Sequence, residues 1–333
     1  MLGILRGRIS PCFGGVTSVY LRALHPIMNF MLRSPKTSGV SSRSMRWFRR
    51  GIAVSGLGLA IVAGLAAGTE NLRSALSFHA SFDHGADADF GAGDRRMFNL
   101  SSLNHPRIGK PGLPAQGAIR IARGAGKFGD ALSFDRSNTN VVFFQAEKNM
   151  PYSTSNWGGT VSFWLKLDPD TDLAPGFCDP FQITSRQWND AAMWVDFSKD
   201  DKPRHFRFGA FADRAVWDPK NRDLEATPMA ERPMVTVTRP PFTRESWTQV
   251  VLTFEGFNTG KAEGQATLYL NSQPIGIVSP RVQTFTWDPS KTIAMLGIAY
   301  AGLIDDVAFF RRALTANEVH QLYRLPRGVA ELH

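Results

Sequence analysis

The chain has 333 residues, with 38 lysines and arginines against 29 aspartates and glutamates, and a formal net charge of +9. Nine of the basic residues and no acidic residue lie in residues 1–50, so the rest of the chain carries equal numbers of both signs. This balance excludes a nucleic-acid-binding body, which needs a basic face of its own. The length suits one large β-sandwich domain. Removal of the leader would leave Cys178 as the single cysteine, with no internal disulfide.

The segment 51–68 predicts that the chain is exported. It contains no charged residue and follows three arginines within residues 46–50, which is the pattern of a secretory signal peptide. It also approaches the length of a single transmembrane helix, which would anchor the chain in a membrane. We expect residues 1–50 to be a basic leader, either disordered or upstream of a true start at Met45. The body is then periplasmic, at the cell surface or secreted.

Short apolar runs separated by turn residues predict an all-β domain over residues 75–326. The clearest strand covers 160–167, where Val161, Phe163 and Leu165 alternate with polar residues or tryptophan. The other predicted strands cover 76–82, 118–121, 131–134, 141–144, 181–184, 192–197, 206–211, 247–254, 266–270, 277–279 and 292–298.

The segment 302–323 predicts a strand, a turn and one short C-terminal helix. Thr315 and Glu318 have the spacing of a capping box, in which each side chain binds a free backbone amide of the other residue. The apolar residues after Glu318 recur at spacings of three and four, which places them on one helical face. We therefore predict a helix over 315–324.

Several motifs occur in the order found in one family. They are a glycine-rich entry to a strand at 126–135, a tryptophan strand at 159–166, a hairpin at 247–256 and 268–276, and the closing segment 302–323. Together they resemble the concanavalin A-like, laminin-G-like (LamG-like) jellyroll family. The resemblance implies an antiparallel jellyroll sandwich of two sheets, and a domain that binds a ligand rather than catalysing a reaction.

Aspartates near the first and last strands predict a calcium site. Asp83 follows the first strand, Asp305 and Asp306 lie in the closing strand, and the resemblance implies a structural calcium near such positions. Calcium takes six to eight oxygen ligands, which carboxylates and loop carbonyls provide. The alternative is that the loop aspartate only forms a turn and a strand aspartate faces solvent. Because Asp305 and Asp306 are adjacent, a regular strand would direct them to opposite faces.

Two tryptophans in predicted loops are candidates for a sugar-binding surface. Trp188 is followed by Asn189, and Trp217 by Asp218. An aromatic ring with polar neighbours can stack on a sugar and orient it. The alternative is that these tryptophans fill the core of the sandwich, as we expect for Trp164.

The sequence therefore predicts an exported, non-catalytic binding module whose partner is a glycan or a cell-envelope or matrix protein. Calcium is the candidate cofactor, and the membrane is a partner only if residues 51–68 stay attached. The sequence lacks the Glu-x-Asp-x-Glu spacing of sandwich glycosidases, the Gly-x-Ser-x-Gly elbow and the phosphate-binding glycine loop. Two alternatives remain, a divergent polysaccharide hydrolase or lyase and a purely structural envelope protein.

Overall fold

The computed structural model describes residues 68–104, 107–136 and 138–333. The predicted leader and nearly all of the apolar segment 51–68 lie outside these residues, so the predictions of export and anchoring stay predictions. Among the described helices, none is both long and apolar enough to cross a membrane.

Two antiparallel sheets face each other. Numbered in chain order, the strands of the first sheet are β1 (Leu76–Ala80), β2 (Phe90–Gly91), β5 (Ile119–Ala122), β6 (Ala131–Phe134), β8 (Trp157–Lys166), β13 (Thr248–Phe257), β14 (Gly264–Leu270), β15 (Gln273–Arg281) and β17 (Gly302–Phe310). Those of the second sheet are β3 (Phe98–Leu100), β4 (Lys110–Pro111), β7 (Val141–Gln145), β9 (Cys178–Thr184), β10 (Ala192–Phe197), β11 (Phe206–Phe211), β12 (Met234–Val237) and β16 (Ile293–Ile298).

The helices are short. They are α1, described over 68–75, α2 (Pro169–Asp172), α3 (Arg214–Trp217) and α4 (Ala316–Tyr323), with 3-10 turns at Met229–Glu231 and Gly328–Leu332.

The strand order confirms the predicted two-sheet sandwich. The first sheet runs β15–β14–β13–β8–β17–β1–β2, with β6 on β17 and β5 on β6, and the second runs β12–β11–β10–β9–β16–β7–β3–β4. The first strand pairs with the last, with Ala80 opposite Val307. Sequence-distant neighbours of this kind bury one continuous apolar core between the sheets.

Strand β8 shows how the sequence pattern becomes packing. Val161, Phe163 and Leu165 point into the core between the sheets, as their alternation predicts. Trp164 points outward but is also buried, because Tyr323 of α4 stacks on it at 5.5 Å between ring centroids. The C-terminal segment therefore covers the outer face of the first sheet around Trp164.

The closing strand contradicts one prediction, because Asp305 and Asp306 do not point to opposite faces. Asp306 has a φ of +53°, and the register of β17 against β8 shifts between Asp305 and Ala308. This bulge interrupts the alternation of side chains. Both carboxylates therefore point to the covered outer face, where Asp305 accepts from the Phe128 amide at 3.0 Å and Asp306 bonds the His79 ring at 2.8 Å.

Helix α4 forms with the predicted capping box. The Glu318 amide donates to the Thr315 hydroxyl at 3.3 Å, and the Thr315 amide donates to the Glu318 carboxylate at 2.9 Å. An ion pair with Arg312, together with these bonds, lowers the pKa of Glu318 to about 2. The carboxylate therefore stays charged at neutral pH and keeps the cap closed.

Replacing Thr315 by alanine should lower the free energy of unfolding by about 1 kcal/mol, because one helix-terminal amide loses its acceptor. Thr315→Ser keeps the hydroxyl and should retain most of the stability. Urea unfolding of the wild type and the two variants measures this difference. Equal losses in the alanine and serine variants would show that the cap does not stabilise α4.

Candidate functional site

A cavity of about 410 Å³ lies on the outer face of the second sheet, over β9, β10 and β11. We call it the groove. Its lining combines aromatic and charged side chains, including Phe177, Asp179, Gln182, Trp188, Trp194, Asp196 and Arg207, with further residues from the segment 223–232. Such a mixture of apolar walls and a few polar groups is typical of ligand sites.

A bulge in β9 directs two polar side chains into the groove. Opposite β10, Val195 pairs with Phe181 and Phe197 pairs with Cys178, so β9 holds one extra residue there. Phe181 and Cys178 both point into the core. Because of the bulge, Asp179 and Gln182 both point outward, although residues three positions apart point to opposite faces of a regular strand.

Asp179 and Gln182 are free to bind a ligand. Neither side chain has a hydrogen bond to another described residue, although Asp179 is half-buried and Gln182 is buried. Burial, and then the nearby Asp196 carboxylate, raise the pKa of Asp179 well above its usual range. The groove floor therefore offers an unpaired carboxyl group and an amide that both donates and accepts.

An ion pair forms the adjacent part of the floor. Asp196 on β10 lies directly opposite Arg207 on β11, and the guanidinium donates to both carboxylate oxygens, with Nε at 2.7 Å from Oδ1. Burial raises the pKa of Asp196 even though this pairing opposes the shift. The Arg207 guanidinium also lies over the rings of Phe177, at 4.6 Å, and Trp194, at 5.6 Å.

Three buried indoles hold the loop that presents Trp188. Trp194 donates to the carbonyl of Trp188 at 2.9 Å, Trp217 to that of Asn189 at 2.8 Å, and Trp287 to that of Ala191 at 2.6 Å. Each bond satisfies a backbone acceptor that an irregular loop leaves unpaired. The loop is therefore fixed before any ligand binds, with the Trp188 ring 42% exposed at the groove.

Gly209 makes room for the Trp194 ring. It lies opposite Trp194 in the β10–β11 pair, and a Cβ at this position would come within 2.5 Å of the indole. The absence of a side chain lets the ring lie flat on the sheet, stacked on Phe211 at 5.4 Å. This position of the indole allows its bond to the loop.

The structure separates the four residues predicted to bind a ligand. Trp188 lines the groove, whereas the Asn189 side chain is only partly exposed and does not line it. Trp217 is buried, and the Asp218 side chain is fully buried beside Arg214 and Arg222 at 3.1 Å. Trp217 therefore supports the loop, and Asp218 stabilises the neighbouring helix α3.

Sequence reasoning missed Asp179, Gln182, Asp196 and Arg207. Asp196 lies between Val195 and Phe197, which are both core residues of a predicted strand, so its outward orientation could be predicted from the sequence. A charged residue at an outward strand position does not by itself indicate a ligand site. Only the pairing of β9, β10 and β11 brings these side chains together.

The structure gives each of the three predicted metal ligands a protein donor. Asp83 accepts from the Asp130 amide at 2.7 Å, Asp305 from the Phe128 amide, and Asp306 from the Val329 amide at 3.2 Å as well as from His79. Within the described residues, no three or more His, Cys, Asp and Glu side chains form a group suited to a metal ion. Calcium binding therefore stays a prediction. If calcium is bound, a chelator should lower the melting temperature.

Asp305 should make the stability depend on pH. Burial raises its pKa to about 8, against an ordinary value of 3.8. Between these values the folded state binds more protons than the unfolded chain, so stability falls as the pH rises through this range. Urea unfolding at pH 5 and pH 9 should show a smaller pH-dependent loss for Asp305→Asn than for the wild type. Identical losses would contradict the shift, and Asp135→Asn, at an exposed carboxylate, is the control.

A second cavity, of about 710 Å³, lies among the loops that follow β1 and is lined by His84, Asp87, Asp89 and Asp94 together with two arginines. Its carboxylates are already bonded. Asp87 accepts from the Met97 amide, Asp89 from the Ser81 amide and His84, and Asp94 from Arg96. Despite its larger volume it therefore offers fewer free groups to a ligand than the groove.

Solved structures of similar fold include domains of larger proteins. Domain 4 of AbnA, a GH43 arabinanase from Geobacillus stearothermophilus, is 17% identical with a TM-score of 0.46 over 75% of this chain and 98% of that one. The binding domain of Paraclostridial Mosquitocidal Protein 1 is 13% identical with a TM-score of 0.47, over 76% and 52%. The chain thus spans about half of that toxin structure. Similarity at this level assigns no function, and no curated protein sequence matches this chain.

A family model identifies the domain. The model described as the Concanavalin A-like lectin/glucanases superfamily (Laminin_G_3) matches residues 136–320, more than half of the chain. The match spans β7 to β17 and so contains the strands that form the groove. It agrees with the antiparallel sandwich described above and confirms the resemblance seen in the sequence. The chain belongs to the concanavalin A-like lectin/glucanases superfamily.

Proposed function

We propose that the chain is a non-catalytic glycan-binding module and that the groove holds the glycan. The observation that carries this proposal is an exposed tryptophan, Trp188, fixed beside two polar side chains, Asp179 and Gln182, that have no hydrogen bond to the rest of the described chain. Membership of a superfamily whose description includes lectins supports it. A cell-envelope or matrix protein bearing such a glycan is the natural partner.

The groups in the groove match the surface of a sugar. A sugar ring has an apolar face of C–H groups, which packs against an aromatic ring, and hydroxyls at its edge, which donate and accept hydrogen bonds. Trp188 supplies the aromatic face, and the Gln182 amide and the Asp179 carboxyl group supply the polar contacts. Because the indole bonds fix the loop beforehand, binding costs little ordering of the protein.

A polysaccharide hydrolase is the second candidate. Two carboxyl groups, Asp179 and Asp196, line the same groove, and the raised pKa of Asp179 suits a general acid. However, the Asp196 carboxylate already accepts two bonds from Arg207, so it is poorly placed to act as a base or nucleophile. For this reason we propose binding without turnover.

We also propose that the chain is exported and that it requires calcium, and each of these proposals is independent of the groove. The uncharged segment after the arginine cluster supports transport out of the cytoplasm. Mass spectrometry of the mature N-terminus in the native host tests it. A processed end near residue 68 is expected, whereas an unprocessed chain in the cytoplasm would contradict export.

A glycan array run beside a hydrolysis assay tests the proposed function. The full chain should bind at least one glycan class reproducibly and leave the same glycans intact during prolonged incubation. Release of reducing ends that is abolished by Asp179→Asn would favour the hydrolase. Absence of binding to every glycan would favour the purely structural envelope protein and contradict our proposal.

A further inference from the structure

We infer that the groove takes an uncharged oligosaccharide that spans the rings of Phe177 and Trp188, rather than a single sugar or a charged glycan. This inference rests on the proposed function and specifies its ligand. Two sets of observations carry it, the positions of the exposed aromatic rings and the bonding state of the charged groups in the groove.

Exposed aromatic side chains lie beyond both ends of β9. Phe177 immediately precedes the strand and is 43% exposed, and Trp188 lies in the loop that follows it and is 42% exposed. The Arg207 guanidinium lies 4.6 Å from the Phe177 ring and 5.6 Å from the Trp194 ring, and the rings of Trp194 and Trp188 are 6.3 Å apart, so the two exposed rings are separated by at most about 17 Å. Both rings line the groove, on either side of Arg207 and Trp194. A single sugar stacked on one ring leaves the other unused, whereas a chain of two or more sugars can contact both.

The arginines of the groove are already engaged by the protein. Arg207 donates to both oxygens of Asp196. Arg107 donates to the carbonyls of Thr184 at 3.3 Å and Arg186 at 2.6 Å, and Arg232 to those of Thr227 at 2.8 Å and Glu225 at 3.0 Å. Recognition of a carboxylate or sulfate favours a guanidinium with its planar fork available. The groove presents no such unengaged arginine.

The carboxyl groups make an anionic ligand still less favourable. Three arginines in the lining face four carboxyl groups, those of Asp179, Asp196, Asp223 and Glu225. Asp179 has no basic partner within hydrogen-bonding distance among the described residues. An acidic sugar placed over β9 would therefore lose solvation without gaining a guanidinium partner, which disfavours binding. A cationic sugar gains little from the carboxylates either, because Asp196 is paired with Arg207, and Glu225 lies 3.8 Å from the Lys199 ammonium.

Isothermal titration with defined oligosaccharides tests the inference. The probes are an uncharged series from monomer to hexamer of the sugar found on the array, oligogalacturonate as the anion, and chitosan oligomers as the cation. We expect affinity to rise by about tenfold or more from the monomer to the longer oligomers, since a second aromatic contact is gained. Affinity independent of length, or tighter binding of either charged probe, would overturn the inference.

Three variants test the residues individually. Phe177→Ala should remove the gain from chain length, so that the longer oligomers bind no more tightly than the monomer does. Asp179→Asn keeps a donor and an acceptor without a charge, whereas Asp179→Leu removes both, so the leucine variant should lose more affinity for the uncharged oligomer than the asparagine variant. Equal losses in these two variants would show that the carboxylate charge recognises the ligand and would overturn the inference. Absence of binding to any glycan by the wild type would instead count against the proposed function itself.

Discussion

Replacing Trp188 by alanine should weaken glycan binding by about 30-fold, which corresponds to about 2 kcal/mol, while the variant stays folded. The residue is 42% exposed and its ring meets those of Trp194 and Phe211 edge-on. Its loop is held by backbone carbonyls that bond the indoles of Trp194, Trp217 and Trp287. Removing the side chain therefore removes a stacking surface without removing the support. Isothermal titration with the glycan found on the array measures the effect.

The matched control for this substitution is Ile277→Ala. Ile277 lies on β15 of the other sheet and is 56% exposed, so its loss also removes an exposed apolar side chain, but one that does not line the groove. We expect this variant to bind as the wild type does. If Trp188→Ala and Ile277→Ala both retain full affinity while remaining folded, the glycan binds elsewhere.

Replacing Arg207 by methionine should lower the free energy of unfolding by about 3–5 kcal/mol. Only 15% of the Arg207 side chain and 6% of the Asp196 side chain are exposed, so the variant leaves a buried carboxylate without its counter-charge. Urea unfolding of the wild type and the variant measures the loss.

Two further variants test whether the unpaired buried carboxylate causes the loss of stability. Arg96→Met removes an exposed pair with Asp94 and should cost at most about 1 kcal/mol. The double variant Arg207→Met, Asp196→Leu removes both charges and should recover much of the stability, because no unpaired charge remains. A double variant as unstable as Arg207→Met alone would show that the methionine packs badly and that the ion pair is not the cause.

The elements predicted well from the sequence are those that depend on local patterns. The alternation in β8 identifies Val161, Phe163 and Leu165 as core residues because a regular strand has a side-chain period of two. Helix α4 follows from Thr315 and Glu318 because a capping box involves residues three positions apart. Both depend on neighbouring residues only, and the structure confirms both.

The groove depends on information that no local pattern contains. Asp179 points outward only because β9 bulges against β10, and the same effect in β17 places Asp305 and Asp306 on one face. Wherever an extra residue interrupts a strand, the alternation of side chains no longer predicts which face a residue points to. The roles of the tryptophans are likewise set by tertiary contacts, since Trp188 and Trp217 look alike in sequence but one lines the groove and the other supports its loop.

Hydrogen–deuterium exchange with and without a saturating oligosaccharide tests most directly whether the groove is the glycan-binding surface. We predict that protection appears in peptides covering residues 177–188 and 194–207, while peptides covering 302–323 on the covered face of the other sheet exchange as before. Protection confined to the loops after β1, or to any region that does not line the groove, would contradict the assignment of the groove as the glycan-binding surface.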